Sequence, residues 1–169
     1  MTYFELFRLP VTLQPDAQQV KKQFYALSRQ YHPDFFANAS EAEQAEALEK
    51  SSLVNKAFKI FQSQDETIKY VLREKGLLQD DEKYHLPPDF LMEMMELNEQ
   101  LMDAKMEGDE TALNNVKSQI SNLKSEIYEP VAKVVADYQE GITTEKELLQ
   151  VKEFYYKKKY LDRILAGMN

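Results

Sequence analysis

The 169-residue chain has no cysteine, which excludes a disulfide framework and any cysteinyl metal or cluster ligand. With two histidines, no nucleophile-base pair and no phosphate-binding loop can be assembled, so the sequence carries no catalytic residues. Glycine and proline are also scarce, four and six. Together with few β-branched runs and no strand pattern of useful length, that scarcity points to an all-α protein. At 43% hydrophobic and 30% charged residues the chain is folded rather than disordered, and it is long enough for one ordinary domain or two small ones. No apolar run reaches the 18 residues of a membrane span. The opening MTYFELF is neither a signal peptide nor an arginine-rich transit peptide. A soluble, cytoplasmic protein without membrane association is expected.

The charge is unevenly placed. Residues 1 to 75 carry 10 basic and 10 acidic side chains, residues 76 to 169 carry 11 and 19, and the difference accounts for the net charge of −8. An acidic half argues against nucleic-acid binding, whose affinity comes mostly from neutralising phosphates. The split suggests two regions with different partners.

The most informative stretch runs from Asp16 to Phe61. Val20, Phe24, Leu27 and Tyr31 recur at helical steps, while Lys21, Lys22, Arg29 and Gln30 fall away from that stripe. Asp16 with Gln19, and Ser40 with Glu43, read as capping boxes opening two helices. The first should end at Tyr31 or His32, because a residue preceding proline is pushed out of the α region. The second carries Leu48, Ser51, Ser52, Asn55, Phe58 and Phe61 or Gln62 along one side. The pair should form an antiparallel hairpin with His32, Pro33 and Asp34 exposed at its tip. Pro33 stiffens that tip, so an imidazole and a carboxylate project at low entropic cost, and Asp34 can accept a bidentate arginine. The plainer alternative is that His32 and Asp34 only cap helix ends.

Tyr3, Phe4, Leu6 and Phe7 before Pro10 read as a short helix adding aromatics to the hairpin, and Gln64 to Lys75 as a fourth helix stopped by Gly76. Residues 76–87 are polar and read as a linker. Glu82 and His85 have one spacing used by di-iron bundles, but that design needs two such pairs on helices, and the acidic run lacks EF-hand spacing; no metal site is expected. From residue 88 three helices follow. The first, Phe90 to Glu107, carries Leu91, Met94 or Met95, Leu97, Leu101 and Met102, too many apolar residues for one seam. The second has a near-heptad pattern from Leu113 through Val116, Ile120, Leu123, Ile127, Val131 and Val134 to Tyr138, kinked at Pro130. The third opens with a Thr144/Glu147 capping box and runs through Leu148, Val151, Tyr155 and Leu161 to Ile164. On the first of these helices Met92, Met95, Glu96 and Glu99 share a face beside Leu91, mixing polarizable apolar groups with acid. That face is either core or a partner site.

Residues 3 to 75 resemble a J-domain. QVKKQFYALSRQYHPD is similar to the family's second helix and loop, LVNKAFKIF to its third helix, and His-Pro-Asp is its diagnostic triplet. YFELFRLP, QYHPDFF and FLMEMMELNEQL together resemble the HscB-type co-chaperones of iron-sulfur cluster assembly over nearly the whole chain. Phe35 stands where many J-domains have lysine, and the fourth helix lacks a frequent arginine and proline. The resemblance implies a J-domain at 1–75, a linker at 76–87 and a scaffold-binding three-helix bundle at 88–169. It implies that His32, Pro33 and Asp34, with Lys21, Lys22 and Arg29 beside them, engage a DnaK or HscA-type chaperone and stimulate its ATPase. It further implies that Leu91, Met92, Met95, Glu96 and Glu99, joined by Tyr160 from the last helix, bind an IscU-type scaffold. No cofactor is implied. The alternatives are a J-protein serving a different client and a structural coiled-coil adaptor.

Overall fold

Polar side chains that accept backbone N–H groups set where the helices begin in the computed structural model, which describes residues 1–167. Met168 and Asn169, the last two residues of the expected bundle, lie outside the described residues. The helices are α1 (Tyr3–Leu6), α2 (Ala17–Gln30), α3 (Glu41–Phe61), α4 (Gln64–Glu74), α5 (Pro88–Glu107), α6 (Glu110–Tyr128), α7 (Ala132–Asp137) and α8 (Glu145–Ala166). Short 3-10 turns stand at Pro33–Phe36 and Glu129–Val131, and no strand occurs among the described residues. Asp16 accepts from Gln18 and Gln19, Ser40 from Glu43, Ser63 from Glu66 and Asp109 from Ala112. The reciprocal half of a capping box closes at Thr2/Glu5 and Thr144/Glu147, whereas Asp16 and Ser40 act as simple N-caps.

The chain divides into two compact units: Met1–Lys75 with Tyr138–Ile142, and Gly76–Asp137 with Thr143–Asn169. In the first unit α2 and α3 form the hairpin, and α1 and α4 pack against α3. Phe4, Phe7, Val20, Leu27, Val54, Phe61, Ile68 and Leu72 are buried. Phe24 stacks on Phe58 at 3.9 Å between ring centroids, and Phe4 and Phe7 meet Phe61 at 4.9 and 5.3 Å. Full burial of such side chains contributes about 1.5–3 kcal/mol each. The Tyr3 N–H donates to the Tyr70 hydroxyl at 2.9 Å, and burial pushes that phenol's pKa up. The buried side of α3 is Ala47, Val54, Ala57 and Phe61, while Leu48 is 65% exposed. That is one residue, about 100° of rotation, from the side expected. α4 ends where Gly76 takes φ 73°, a left-handed conformation that lets the chain leave the helix without a Cβ clash.

In the second unit α5, α6 and α8 enclose Phe90, Met94, Leu97, Leu101, Val116, Ile120, Leu161 and Ile164. The heptad of α6 does not continue unbroken. Pro130 lies in the Glu129–Val131 3-10 turn, which advances the chain by about 120° per residue instead of 100°. In α7 it is Val135, at 0% exposure, that turns inward, and the expected Val134 is half-buried. Residues 76–87 group with this unit: Leu78 is buried, and Leu86 packs on the core cluster. Tyr84 stacks on Tyr156 at 4.5 Å.

Candidate functional site

In the first unit, α2 ends at the Tyr31 C-cap and the chain turns through Pro33–Phe36. His32 is extended (φ −63°, ψ 132°), the backbone a residue before proline adopts, and Pro33 opens the 3-10 turn. The Asp34 N–H donates to His32 Nδ1 at 3.2 Å, so the imidazole caps the turn and is held against it. The same Nδ1 lies 3.5 Å from Asp34 Oδ2. Capping does not bury either group: the His32 side chain is 53% and the Asp34 side chain 89% exposed. The two readings of the triplet are thus compatible, since the backbone of Asp34 is used locally while its carboxylate and the rest of the imidazole face outward.

Lys21, Lys22 and Arg29 are exposed on α2, within about 100° of one another around its axis and on the side away from Val20 and Leu27. Tyr25 lies between them at 57% exposure, and Phe35 follows the triplet at 74%. Neither stands among the sequence-derived candidates, although the i, i+3, i+4 spacing of Tyr25 from Lys21, Lys22, Ser28 and Arg29 signals the first. Tyr25, Ser28, Arg29, His32, Asp34 and Phe35 line an open hollow of about 600 Å3.

The second unit resolves the surplus of apolar residues on α5. Phe90, Met94, Leu97, Leu101 and Ala104 are buried. Met92, Met95, Met102 and Met106 are 64%, 63%, 63% and 84% exposed, and Leu91 37%. At 100° per residue the two sets lie about 160° apart, so the helix has an inner face and a nearly opposite outer methionine stripe. Met102 is among the apolar residues of the helix that stay exposed. The stripe 92, 95, 99, 102, 106 spans about 21 Å, and Glu96 and Glu99 are exposed on it. Met102 and Met106 extend the candidate face by more than a turn; their steps of three and four from Glu99 were the available signal.

Tyr160 is half-buried beside α5, edge-on to Phe90 at 6.3 Å. It shares a hollow with Leu91, so these two expected residues come together. Met92 and Met95 lie farther round the helix. Glu82 is taken by Lys152, whose ammonium is 2.7 Å from its carboxylate and holds the Glu82 pKa below its ordinary value. Among the described residues no group of three or more His, Cys, Asp or Glu side chains is placed to hold a metal. No helix among them is long and apolar enough to cross a membrane.

Two family models match the chain. A DnaJ domain matches residues 2–70, and the HSCB C-terminal oligomerisation domain matches residues 86–169. The co-chaperone protein HscB homolog of Photobacterium profundum is 36% identical over 125 residues, covering 73% of each chain. The corresponding homolog of Neisseria meningitidis serogroup B is 32% identical over 127 residues, 75% of this chain and 76% of that one. Among solved structures, chaperone HscB from Vibrio cholerae superposes with a TM-score of 0.75 at 27% identity, covering 99% of this chain and 95% of that one. Human co-chaperone protein HscB superposes with a TM-score of 0.80 at 25% identity, covering 99% and 80%. The chain belongs to the HscB family, co-chaperones in which a J-domain, the module that works with a DnaK-type chaperone, precedes a C-terminal helical domain.

Proposed function

We propose that the protein stimulates ATP hydrolysis by an HscA-type member of the DnaK class and delivers an IscU-type iron-sulfur scaffold to it, in the cytoplasm. The observation that carries the first half is the exposed His32 imidazole and Asp34 carboxylate on a proline-stiffened turn, next to three exposed cations of α2. The carboxylate can receive a bidentate arginine, and Lys21, Lys22 and Arg29 can meet an acidic patch on the chaperone. For the second half, the exposed Leu91, Met92, Met95, Glu96 and Glu99, with Tyr160, form an apolar and acidic face for the scaffold. The functional division runs 1–75 for the chaperone, 76–87 as connection and 88–169 for the scaffold. The protein's contribution is tethering: joining two modest sites raises the effective concentration of scaffold at the chaperone. It has no bond-making step, metal or cofactor of its own.

Single-turnover ATP hydrolysis by the cognate chaperone, measured with scaffold, with this protein, with both and with neither, tests the whole reading. Synergy is expected with both. His32→Gln should remove the stimulation while circular dichroism and scaffold binding persist. Stimulation that survives this change leaves the coiled-coil adaptor reading. A chaperone response without scaffold capture leaves a J-protein with another client.

A further inference from the structure

A hollow of about 430 Å3 lies between the segment Glu82–Leu86 and α8. Its apolar part is largely aromatic: Tyr84 lies flat on Tyr156, their planes within 5°, and Tyr160 and Leu91 extend the wall. Its charge is the anomaly. Lys83, Lys159 and Arg163 line it together with His85, and none of the three permanent cations forms an ion pair among the described residues. Three other lysines of α8 are matched, Lys152 with Glu82, Lys157 with Glu153 and Lys158 with Asp162, while Lys146 in its first turn is exposed. The carboxylate in the lining, Glu82, is therefore already used. Three cations without an ion pair, of which Lys159 lies 6.0 Å above the Tyr155 ring, gather at this hollow in the half of the chain that carries 11 basic and 19 acidic residues.

The ligand chemistry follows from this lining. Cations beside low-dielectric aromatic walls attract carboxylates more strongly than freely solvated ones, and an arginine fork accepts a carboxylate bidentately. The stacked tyrosines offer a flat surface to an apolar or aromatic side chain. The cations are spread over two segments of chain, which suits an extended ligand with several carboxylates better than one compact anion. We propose that this hollow binds an acidic segment of a partner protein, with one apolar side chain on Tyr84, Tyr156 and Tyr160 and flanking carboxylates on Lys83, Lys159 and Arg163. The hollow shares Leu91 and Tyr160 with the proposed scaffold face. Identifying the acidic segment as the scaffold's rests on that reading, whereas the chemistry of the hollow does not. With acid on α5 and base on α8, such a face admits a partner of matching polarity in one orientation.

The test is an NMR titration of the full chain, observing tyrosine resonances, with the peptide acetyl-Glu-Glu-Phe-Glu-amide and its lysine counterpart. Saturable shifts of Tyr84, Tyr156 and Tyr160 are expected with the acidic peptide only, weakening as salt is raised. The double variant Lys159→Glu/Arg163→Glu should bind at least tenfold more weakly with unchanged helicity, since both side chains are exposed. Equal shifts from the lysine peptide, or a double variant within twofold of wild type, would overturn the proposal. So would inorganic phosphate competing as well as the peptide, or self-association of the wild type that the double variant loses, which would make a second copy the occupant. The scaffold reading fails separately, if Met92→Ala/Met95→Ala leaves scaffold affinity unchanged while the peptide result stands.

Discussion

Met94 and Met95 are the same residue type in consecutive positions of α5, yet one is 0% and the other 63% exposed. Truncating each to alanine separates packing from docking with the chemistry held constant. Met94 sits in the cluster with Leu97, Ile120 and Leu161. Its truncation removes buried thioether and methylene contacts and leaves a cavity, a loss of about 2–5 kcal/mol. For a unit of this size that corresponds to a fall in Tm of roughly 4–8 °C per kcal/mol, so about 10 °C or more. Met95→Ala deletes surface atoms, and its stability change should stay within about 0.5 kcal/mol. Binding of the scaffold should show the reverse order: removal of an exposed anchor in the face weakens the complex by about 1–2 kcal/mol, or roughly 5–30-fold in Kd. Urea unfolding followed by circular dichroism gives the first pair of values, and calorimetric titration with the scaffold, below the variant's melting range, gives the second. A Met95→Ala variant that melts several degrees early, or a Met94→Ala variant that does not, would refute the assignment of faces on α5. Unchanged scaffold affinity in Met95→Ala would refute the docking half alone.

Three further outcomes follow from local geometry. Because His32 caps through the backbone N–H of Asp34 and not through its carboxylate, Asp34→Asn should unfold at the wild-type urea concentration but lose chaperone ATPase stimulation; retained stimulation would reduce the triplet to a cap. The hydrogen bond from Lys152 holds the Glu82 carboxyl below its ordinary 4.5, so its stabilisation is fully present above that unfolded value and is lost as pH falls through the lower folded value. Wild type should exceed Glu82→Gln by up to about 1 kcal/mol at pH 7, and the gap should shrink as the pH is lowered below 4.5; a gap that does not change with acid would show that the ion pair is not its source. Gly108 ends α5 at φ 64° with open space where a Cβ would stand, so Gly108→Ala should cost roughly 1 kcal/mol from backbone strain alone, measured as a lower urea midpoint, whereas Gly167, at φ −71°, should tolerate alanine with a smaller loss.

Helix starts were readable because they are local. Ser40, Thr144 and Asp16 each bond to backbone within three residues, and Gly76 and Pro33 act on their own φ angles or their neighbours'. The His-Pro-Asp turn was legible for the same reason, and its exposure followed from lying between two helices that must pack on each other. Facing was harder wherever a helix carried apolar residues on more than one side. On α3 the small Ala47 and Ala57 go inward and Leu48 outward, and small buried side chains are what a hydrophobicity pattern undervalues. On α5 the sequence offered Met94 or Met95 without deciding between them. The packing of α6 and α8 decided it.

Composition and short-range chemistry alone determined that this protein is helical, where most of its helices begin, and that a stiff turn carries an imidazole and a carboxylate. Only the tertiary structure decided which methionines are surface, that Val135 is fully buried and Val134 half-buried after the 3-10 turn, and that Lys83 meets Lys159 and Arg163 around a tyrosine stack. Capping and turn formation are settled within a few residues of backbone. Side-chain facing, and the gathering of like charges far apart in the chain, depend on which partner helix occupies each side, and that information is spread over the whole sequence.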